Sequence, residues 1–301
     1  MQQPTLSNIN QLFESALTRY PSGMPHIWQI RDFTAVHGGD THQGFLLHSD
    51  GPSFFLKLNE PAKRPLFTAE LQGLRALAEH HAANPSSIRT CRPLCSGHCQ
   101  QFSYLLLEGL ELQADGNWRQ AGRALAELHR ARVGDHFGFE DASYCGLSFQ
   151  PNQWDRDWAN FFAVQRIGHQ LSLLYKRPLD HPDIEFYIER TRQYLQHHRP
   201  IPALVHGDLW SGNIGFHHDE PVIFDPACYY GDPETDLAMT ELFGRLPEPF
   251  YQGYQDIAPI HQDYPRRRPL YQLYHLLNHA NLFGGSYRQQ AEQQLKSLLD
   301  H

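Results

Sequence analysis

"LVHGDLWSGNIGF", residues 204 to 216, sets a cluster of hydrogen-bonding side chains between two apolar flanks. Leu204-Val205 enters and Ile214-Gly215-Phe216 leaves like chain passing into a core, yet His206, Asp208, Trp210, Ser211 and Asn213 lie between them. Either these groups satisfy one another in a buried loop, or they do chemistry at the mouth of a cleft. The continuation suggests the second. Residues 213–216 read as a strand, 217–221 as a turn and 222–225 as a returning strand. With symmetric pairing, Asn213 stands opposite Asp225, and cross-strand neighbours have Cβ atoms roughly 4.5–5.5 Å apart. An amide oxygen and a carboxylate converging beside Asp208 suit Mg²⁺, a hard cation that leaves positions for phosphate and water. In phosphoryl transfer one Asp takes the proton of the attacking hydroxyl, while an Asn and a second Asp hold the metal. D-x-x-x-x-N followed by a strand-end Asp has that logic.

The chain around this stretch has 301 residues, 41% of them hydrophobic and 19% charged, so it can bury a sizeable core. A net charge of −8 argues against nucleic acid as a partner, since such a surface carries a basic face. No apolar run approaches the ~18 residues of a membrane span, and the N-terminus lacks the basic start and apolar stretch of a signal peptide. Five cysteines, an odd count in a long chain, fit a reduced, cytoplasmic setting better than a disulfide framework. Cys91, Cys95, His98 and Cys99 cluster within nine residues, but structural zinc sites join two close pairs across a longer spacer, so ordinary thiols are the expectation.

N-terminal to the opening stretch, an amphipathic helix with Leu12 and Phe13 precedes short apolar runs at 34–36, 44–47 and 53–58. In the third run Phe54, Leu56 and Leu58 share one face, and Phe55 and Lys57 the other. A lysine inside an apolar strand either snorkels from an edge or neutralises phosphate charge. Residues 62–81 read as a helix with Phe67, Leu71, Leu74 and Ala78 on its apolar stripe and Glu70 beside it, placed to pair with Lys57. After the run 102–107, composition turns polar at Glu108-Gly109-Leu110, which sets a boundary between a region 1–110 and a region 111–301. The second region reads as mainly helical. Asn117 caps a helix, residues 136–152 form a loop, and long helices follow at 154–175 and 183–197. Two more close the chain at 270–283 and 287–299. "HGGDTHQG", 37 to 44, is a glycine loop between strands, though it matches neither G-x-G-x-x-G nor the Walker A pattern.

Taken together, "LVHGDLWSGN", "IFDPACYYGDPETDLAM", "FFLKLN" and "WDRDWANFFAVQRI" resemble the fructosamine kinase (ketosamine-3-kinase) family, relatives of the aminoglycoside phosphotransferases and choline kinases. The match runs from about His37 to the last helix. The resemblance implies an α+β, two-lobed protein-kinase-like fold with a small antiparallel-sheet N-lobe and a larger, mainly helical C-lobe. It makes Asp208 the catalytic base and gives Asn213 and Asp225 to Mg²⁺. Lys57 and Glu70 become the pair that positions the phosphates of ATP, and the backbone of Glu108, Gly109 and Leu110 becomes the hinge that meets adenine. Asp236, at a helix start, would brace the catalytic loop.

The resemblance also implies a reaction. The γ-phosphoryl of ATP moves to the 3-hydroxyl of a ketosamine, and the product breaks down to free the amine, a deglycation. Trp210 offers an aromatic face to a sugar ring, with core packing as its alternative, and His279 is a second substrate candidate. The substrate is a free or protein-bound ketosamine, handled by a monomer or homodimer. A kinase for an aminoglycoside or amino alcohol is the rival reading. A polycationic substrate would want acids along the C-terminal helices, and residues 270–283 contain none. A silent binding protein on the same scaffold is the remaining alternative, one expected to lack a member of the set Lys57, Asp208, Asn213 and Asp225.

Overall fold

A run of alternating strands builds the N-lobe. The computed structural model describes residues 4–18, 28–36, 41–99, 101–131, 134–175 and 183–299. Helix α1 (Leu6–Thr18) is followed by β1 (Ile30–Val36), β2 (Gln43–Ser49), β3 (Phe54–Asn59), helix α2 (Arg64–Ala83), β4 (Arg89–Thr90), β5 (Pro93–His98) and β6 (Ser103–Glu108). Five of the strands form one sheet in the order β1-β2-β3-β6-β5, with every neighbouring pair antiparallel. The period-2 pattern of β3 is realised. Phe54, Leu56 and Leu58 pack with Ile9, Leu12 and Phe13 on the α1 face, while Phe67, Leu71 and Leu74 of α2 cover Leu105 and Leu107 on the other. The cysteines divide between these layers: Cys91 packs under α2, Cys95 on the α1 face, and Cys99 is exposed.

The C-lobe is mainly helical. It contains α3 (Trp118–Arg130), a small hairpin of β7 (Ser143–Cys145) and β8 (Ser148–Gln150), α4 (Trp158–Phe162), α5 (His169–Leu174), α6 (Ile184–Leu195), β9 (Ala203–Val205), β10 (Ile214–His217), β11 (Glu220–Ile223), β12 (Tyr229–Gly231), α7 (Glu234–Met239), α8 (Glu248–Ile257), α9 (Tyr264–Phe283) and α10 (Gly285–Leu299). Three differences from the sequence reading have local causes. The hairpin β7–β8 lies inside the expected loop 136–152. The helix expected over 154–175 begins at Trp158, where the Asp157 carboxylate caps the amide of Ala159 at 3.0 Å, and passes through a π-helical segment, Ala163–Gly168, between α4 and α5. Helix α9 starts at Tyr264, not residue 270, because Pro265 sits in its first turn, where no amide is needed.

The boundary at residue 110 is not a clean cut in hydrogen bonding. Strand β4 pairs in parallel with β11, Arg89 to Val222 and Thr90 to Ile223, so an N-terminal segment completes a C-lobe sheet. Val222 in turn joins the core under α2.

Helices α3 and α8 touch backbone to backbone. A Cβ on Gly122 would lie 1.8 Å from the carbonyl oxygen of Phe250, and one on Gly253 would lie 2.0 Å from that of Arg119. Ordinarily Gly→Ala strengthens a helix by up to ~1 kcal/mol. Here the helices must separate, and overpacking typically destabilises by about 1–3 kcal/mol or more. Gly122→Ala should therefore shift the urea midpoint downward by an amount at the top of that range; a midpoint at or above the wild-type value would refute this account of the contact.

His275, on α9, is 3% exposed. Burial, and then the neighbouring His279, lower its pKa to about 3. An unfolded-chain histidine titrates near ~6.5. Below that pH the unfolded state takes up a proton that the folded state refuses, so stability falls as pH drops from 6.5 toward 3. The slope from this one group is ~1.4 kcal/mol per pH unit. Denaturation at pH 7 and pH 5 should show the loss, and His275→Gln should flatten it. Equal slopes for the two chains would contradict it.

Candidate active site

Asp236 anchors the loop of the opening stretch. The chain leaves β9 at Val205, and the amides of His206 and Gly207 donate to the two Asp236 carboxylate oxygens at 2.7 and 2.8 Å. His129 of α3 approaches the same carboxylate at 3.2 Å. Burial alone would raise the Asp236 pKa, but the hydrogen bonds and the histidines hold it below the ordinary value. Gly207 has φ +82°, and a Cβ there would meet the carbonyl oxygen of Ala227 at 2.2 Å, so the turn tolerates only glycine. The ring of His206 accepts the Asp208 amide at Nδ1 (3.2 Å), so Nε2 carries the proton it donates to the carbonyl of Phe224 (2.9 Å).

Those bonds answer half of the opening question. His206 is structural, tying loop to hairpin. Asn213 is both: its Nδ2 donates to the carbonyl of Asp208 at 2.8 Å, which leaves Oδ1 for the site. Asp208 and Trp210 face a cavity of about 380 Å³, with Lys57, Glu70, Asn213, Asp225 and His279 also in its wall.

The hairpin register differs from the expectation. Ile214 pairs with Ile223 and His217 with Glu220, so the turn has two residues, His218 and Asp219, both left-handed. Asn213 therefore lies beside Phe224, whose amide donates to its carbonyl at 3.1 Å, and Asp225 falls one residue beyond. Asp225 itself adopts φ +59°, unusual for a residue with a Cβ, and so turns off the strand and into the cavity wall with Asn213.

Lys57 reaches from the middle of the N-lobe sheet to both carboxylates, 2.6 Å from Glu70 and 2.5 Å from Asp225. Its burial disfavours the charge, but the two acids outweigh that and raise its pKa. One ammonium cannot neutralise two carboxylates. Burial, reinforced by Asp225 and opposed by Lys57, pushes Glu70 up to about 7. Asp208 is likewise pushed up to about 7, by burial first and then by Asp225 and Asp236, well above an ordinary aspartate near ~4. The cavity thus holds a surplus of hard, negative oxygen donors. Asn213 and Asp225, with the shared surplus of Asp208 and Glu70, fit a divalent cation of the Mg²⁺ kind.

Glu108, Gly109 and Leu110 do not line the cavity. The Glu108 amide donates to Arg92 and the Gly109 amide to Ser53, while the Glu108 carboxylate pairs with Arg89 at 2.9 Å. The first two hinge amides are therefore committed within the N-lobe. Of the glycine loop, residues 37–40 lie outside the described residues. Its continuation contributes Thr41 and His42 to the cavity wall, with His42 held by Asn59 at 2.7 Å. Trp210 is half-buried and lies flat on Gly212, whose missing Cβ would sit 2.4 Å from the indole. It is not among the residues of the buried core and borders the cavity instead. His279 stands among Phe243, Phe283 and Tyr287, ring centroids 4.5 to 5.5 Å away. These rings, with Tyr144, give the cavity an aromatic end that comes from separate elements and shows in no local motif.

A model of the family described as fructosamine kinase matches residues 17–301. A curated relative from Synechocystis, named "Probable ketoamine kinase", is 45% identical over 281 residues, covering 92% of this chain and 93% of that protein. The Escherichia coli K12 protein of the same name is 39% identical over 265 residues, 87% of this chain and 91% of its own. Among solved structures, the "Putative fructosamine-3-kinase" of Haemophilus somnus superposes with a TM-score of 0.84 at 30% identity, over 97% of this chain and 96% of that one. The aminoglycoside phosphotransferase APH(4)-Ia superposes at 0.60 with 12% identity, over 98% and 99%, a likeness of fold alone that marks the architecture as protein-kinase-like. With the family model spanning residues 17–301 and relatives well above 30% identity, the chain belongs to the fructosamine kinase family.

Proposed function

We propose that this protein is an ATP-dependent ketosamine kinase acting on the 3-hydroxyl of fructosamine- or ribulosamine-type compounds, and so a deglycation enzyme. The observation that carries the reading is one cavity with two chemically distinct ends. Lys57, Glu70, Asn213 and Asp225 supply the charged end, Trp210, Phe243, His279 and Tyr287 the aromatic end, and Asp208 stands between. Phosphoryl transfer is mostly positioning and charge stabilisation. Lys57, fixed by Glu70, is placed to hold phosphate oxygens of ATP. Asn213 and Asp225 would hold Mg²⁺, which when bound neutralises phosphate charge. Asp208 accepts the proton of the sugar hydroxyl as the hydroxyl oxygen bonds to the γ-phosphorus and the bond from that phosphorus to the bridging oxygen breaks, releasing ADP. The aromatic faces suit the apolar side of a sugar ring.

The amino-acid make-up of the aromatic end favours a ketosamine over a polycation. The residues that α9 and α10 give to the cavity are Asn278, His279, Leu282, Phe283 and Tyr287, none of them acidic. ATP consumption across a panel of ketosamines of differing sugar length, with aminoglycosides and choline as controls, tests the assignment. Turnover confined to the controls would overturn it.

Asp208→Asn keeps the shape but cannot accept the proton. General-base catalysis contributes about 10²–10⁴-fold, and the loss should fall on kcat with ATP binding retained. Near-normal turnover on every ketosamine would remove Asp208 from this role. Trp210→Ala should instead raise KM for the ketosamine and spare that for ATP.

Lys57→Ala should lower kcat/KM for ATP by about 10²-fold or more, the usual scale for deleting a preorganised charge contact. The kinetic loss should exceed the loss of stability, although removing the ammonium leaves both Glu70 and Asp225 without their shared partner. Unchanged kinetics with a large fall in Tm would assign Lys57 to folding alone.

A further inference from the structure

His275 Nδ1 is buried and has no hydrogen-bond partner among the described residues. An orphaned polar atom of this kind ordinarily costs about 1–3 kcal/mol and calls for an explanation. It points toward Asp208, whose Oδ1 lies 3.7 Å away, beyond hydrogen-bond reach. Cys145, at the end of β7, completes a trio in which one sulfur, one nitrogen and one carboxylate oxygen all lie within 4.8 Å of one another.

We infer that Cys145, Asp208 and His275 form a binding site for a zinc-class divalent ion, and that an ion held there switches the kinase off. The second clause rests on Asp208 being the base. Tetrahedral zinc holds nitrogen and oxygen ligands at about 2.0–2.2 Å and sulfur at about 2.3 Å, which puts neighbouring ligand atoms roughly 3.3–3.8 Å apart. The 3.7 Å separation of His275 and Asp208 is too long for a hydrogen bond and right for two ligands of one ion. Sulfur and imidazole select a borderline ion over Mg²⁺, which takes oxygen.

The surroundings support the same use. Asn278 directs its Nδ2 at the Cys145 sulfur, 3.2 Å away, the kind of donor that steadies a thiolate ligand. Burial keeps the His275 imidazole neutral, with a lone pair to give. Cys145 and Asp208 line the cavity, so an ion can enter from it and keep a fourth coordination position on that side. On binding, the thiol gives its proton to solvent and the carboxylate gives one oxygen to the ion. That carboxylate can then no longer orient a hydroxyl or accept its proton. A second trio, His198, Asp232 and Glu234, lacks this character. Asp232 already accepts from His198 and Tyr271 at 2.6 Å each, and Glu234 is paired through both oxygens with Arg267.

Cobalt titration of the chelator-treated full chain tests the site without reference to turnover. The exposed Cys99 is replaced by Ser throughout, so that it contributes no ligand. One equivalent of Co²⁺ should bind with a thiolate-to-metal charge-transfer band that Zn²⁺ displaces. Cys145→Ser should abolish the band, with Cys145→Ala as the second variant, and His275→Ala should weaken binding at least tenfold. A missing band, or a band unchanged in the Cys145 variants, overturns the site. In the kinetic arm, Zn²⁺ in the presence of excess Mg²⁺ and ATP should reduce turnover at least tenfold, reversibly by chelator. The Cys145→Ser chain should show a smaller reduction. Binding without loss of turnover would overturn the switch while leaving the site, and inactivity of the zinc-free chain on all substrates with Mg²⁺ and ATP present would instead tell against the kinase reading.

Discussion

The Lys57 ammonium joins the two lobes where it matters most. It leaves a strand in the centre of the N-lobe sheet, is held by Glu70 from the covering helix, and touches Asp225 at the end of a C-lobe strand. A buried cation between two carboxylates is tolerated only with close geometry, because desolvation costs several kcal/mol per ion. That requirement fixes the N-lobe over the C-lobe with few degrees of freedom. It also leaves the site short of positive charge, since no lysine or arginine among the described residues pairs with Asp208.

A second chain of constraints runs beneath the catalytic loop. The glycine crossing of α3 on α8 sets the position of α3, His129 of α3 meets Asp236, and Asp236 holds the amides of His206 and Gly207. The left-handed turn at Gly207 then delivers Asp208 to the cavity. No link in this series contacts a substrate. Each fixes the next by hydrogen bonding or by excluded volume, which is how a loop acquires the precision of a helix.

Much of this was legible in the sequence because it is local. The spacing from Asp208 to Asn213, the period of β3 around Lys57, and Glu70 beside an apolar helical stripe each depend on a few consecutive residues. The register of the β10–β11 hairpin was misread by one because His218 and Asp219, not a glycine pair, adopt the left-handed conformation of a two-residue turn. Composition marks where Glu108 to Leu110 lie but not that Arg92 and Ser53 take the amides of Glu108 and Gly109. The aromatic end of the cavity was mostly invisible. Tyr144, Phe243 and Tyr287 come from a hairpin, a turn after α7, and α10, and only the tertiary fold gathers them.

The parallel pairing of β4 with β11 bears on the order in which this chain can be made. Arg89 and Thr90 find their partners only when Val222 and Ile223 exist, and Val222 is a wall of the core that shelters Phe67, Leu74 and Leu105. At ~5–20 residues per second, the ribosome needs on the order of ten seconds to cover that distance. During that interval the N-terminal sheet has its strands, and α2 can already cover Leu105 and Leu107, but the part of the lining that Val222 supplies is missing. The half of the enzyme that is synthesised first is thus the half that must wait to close.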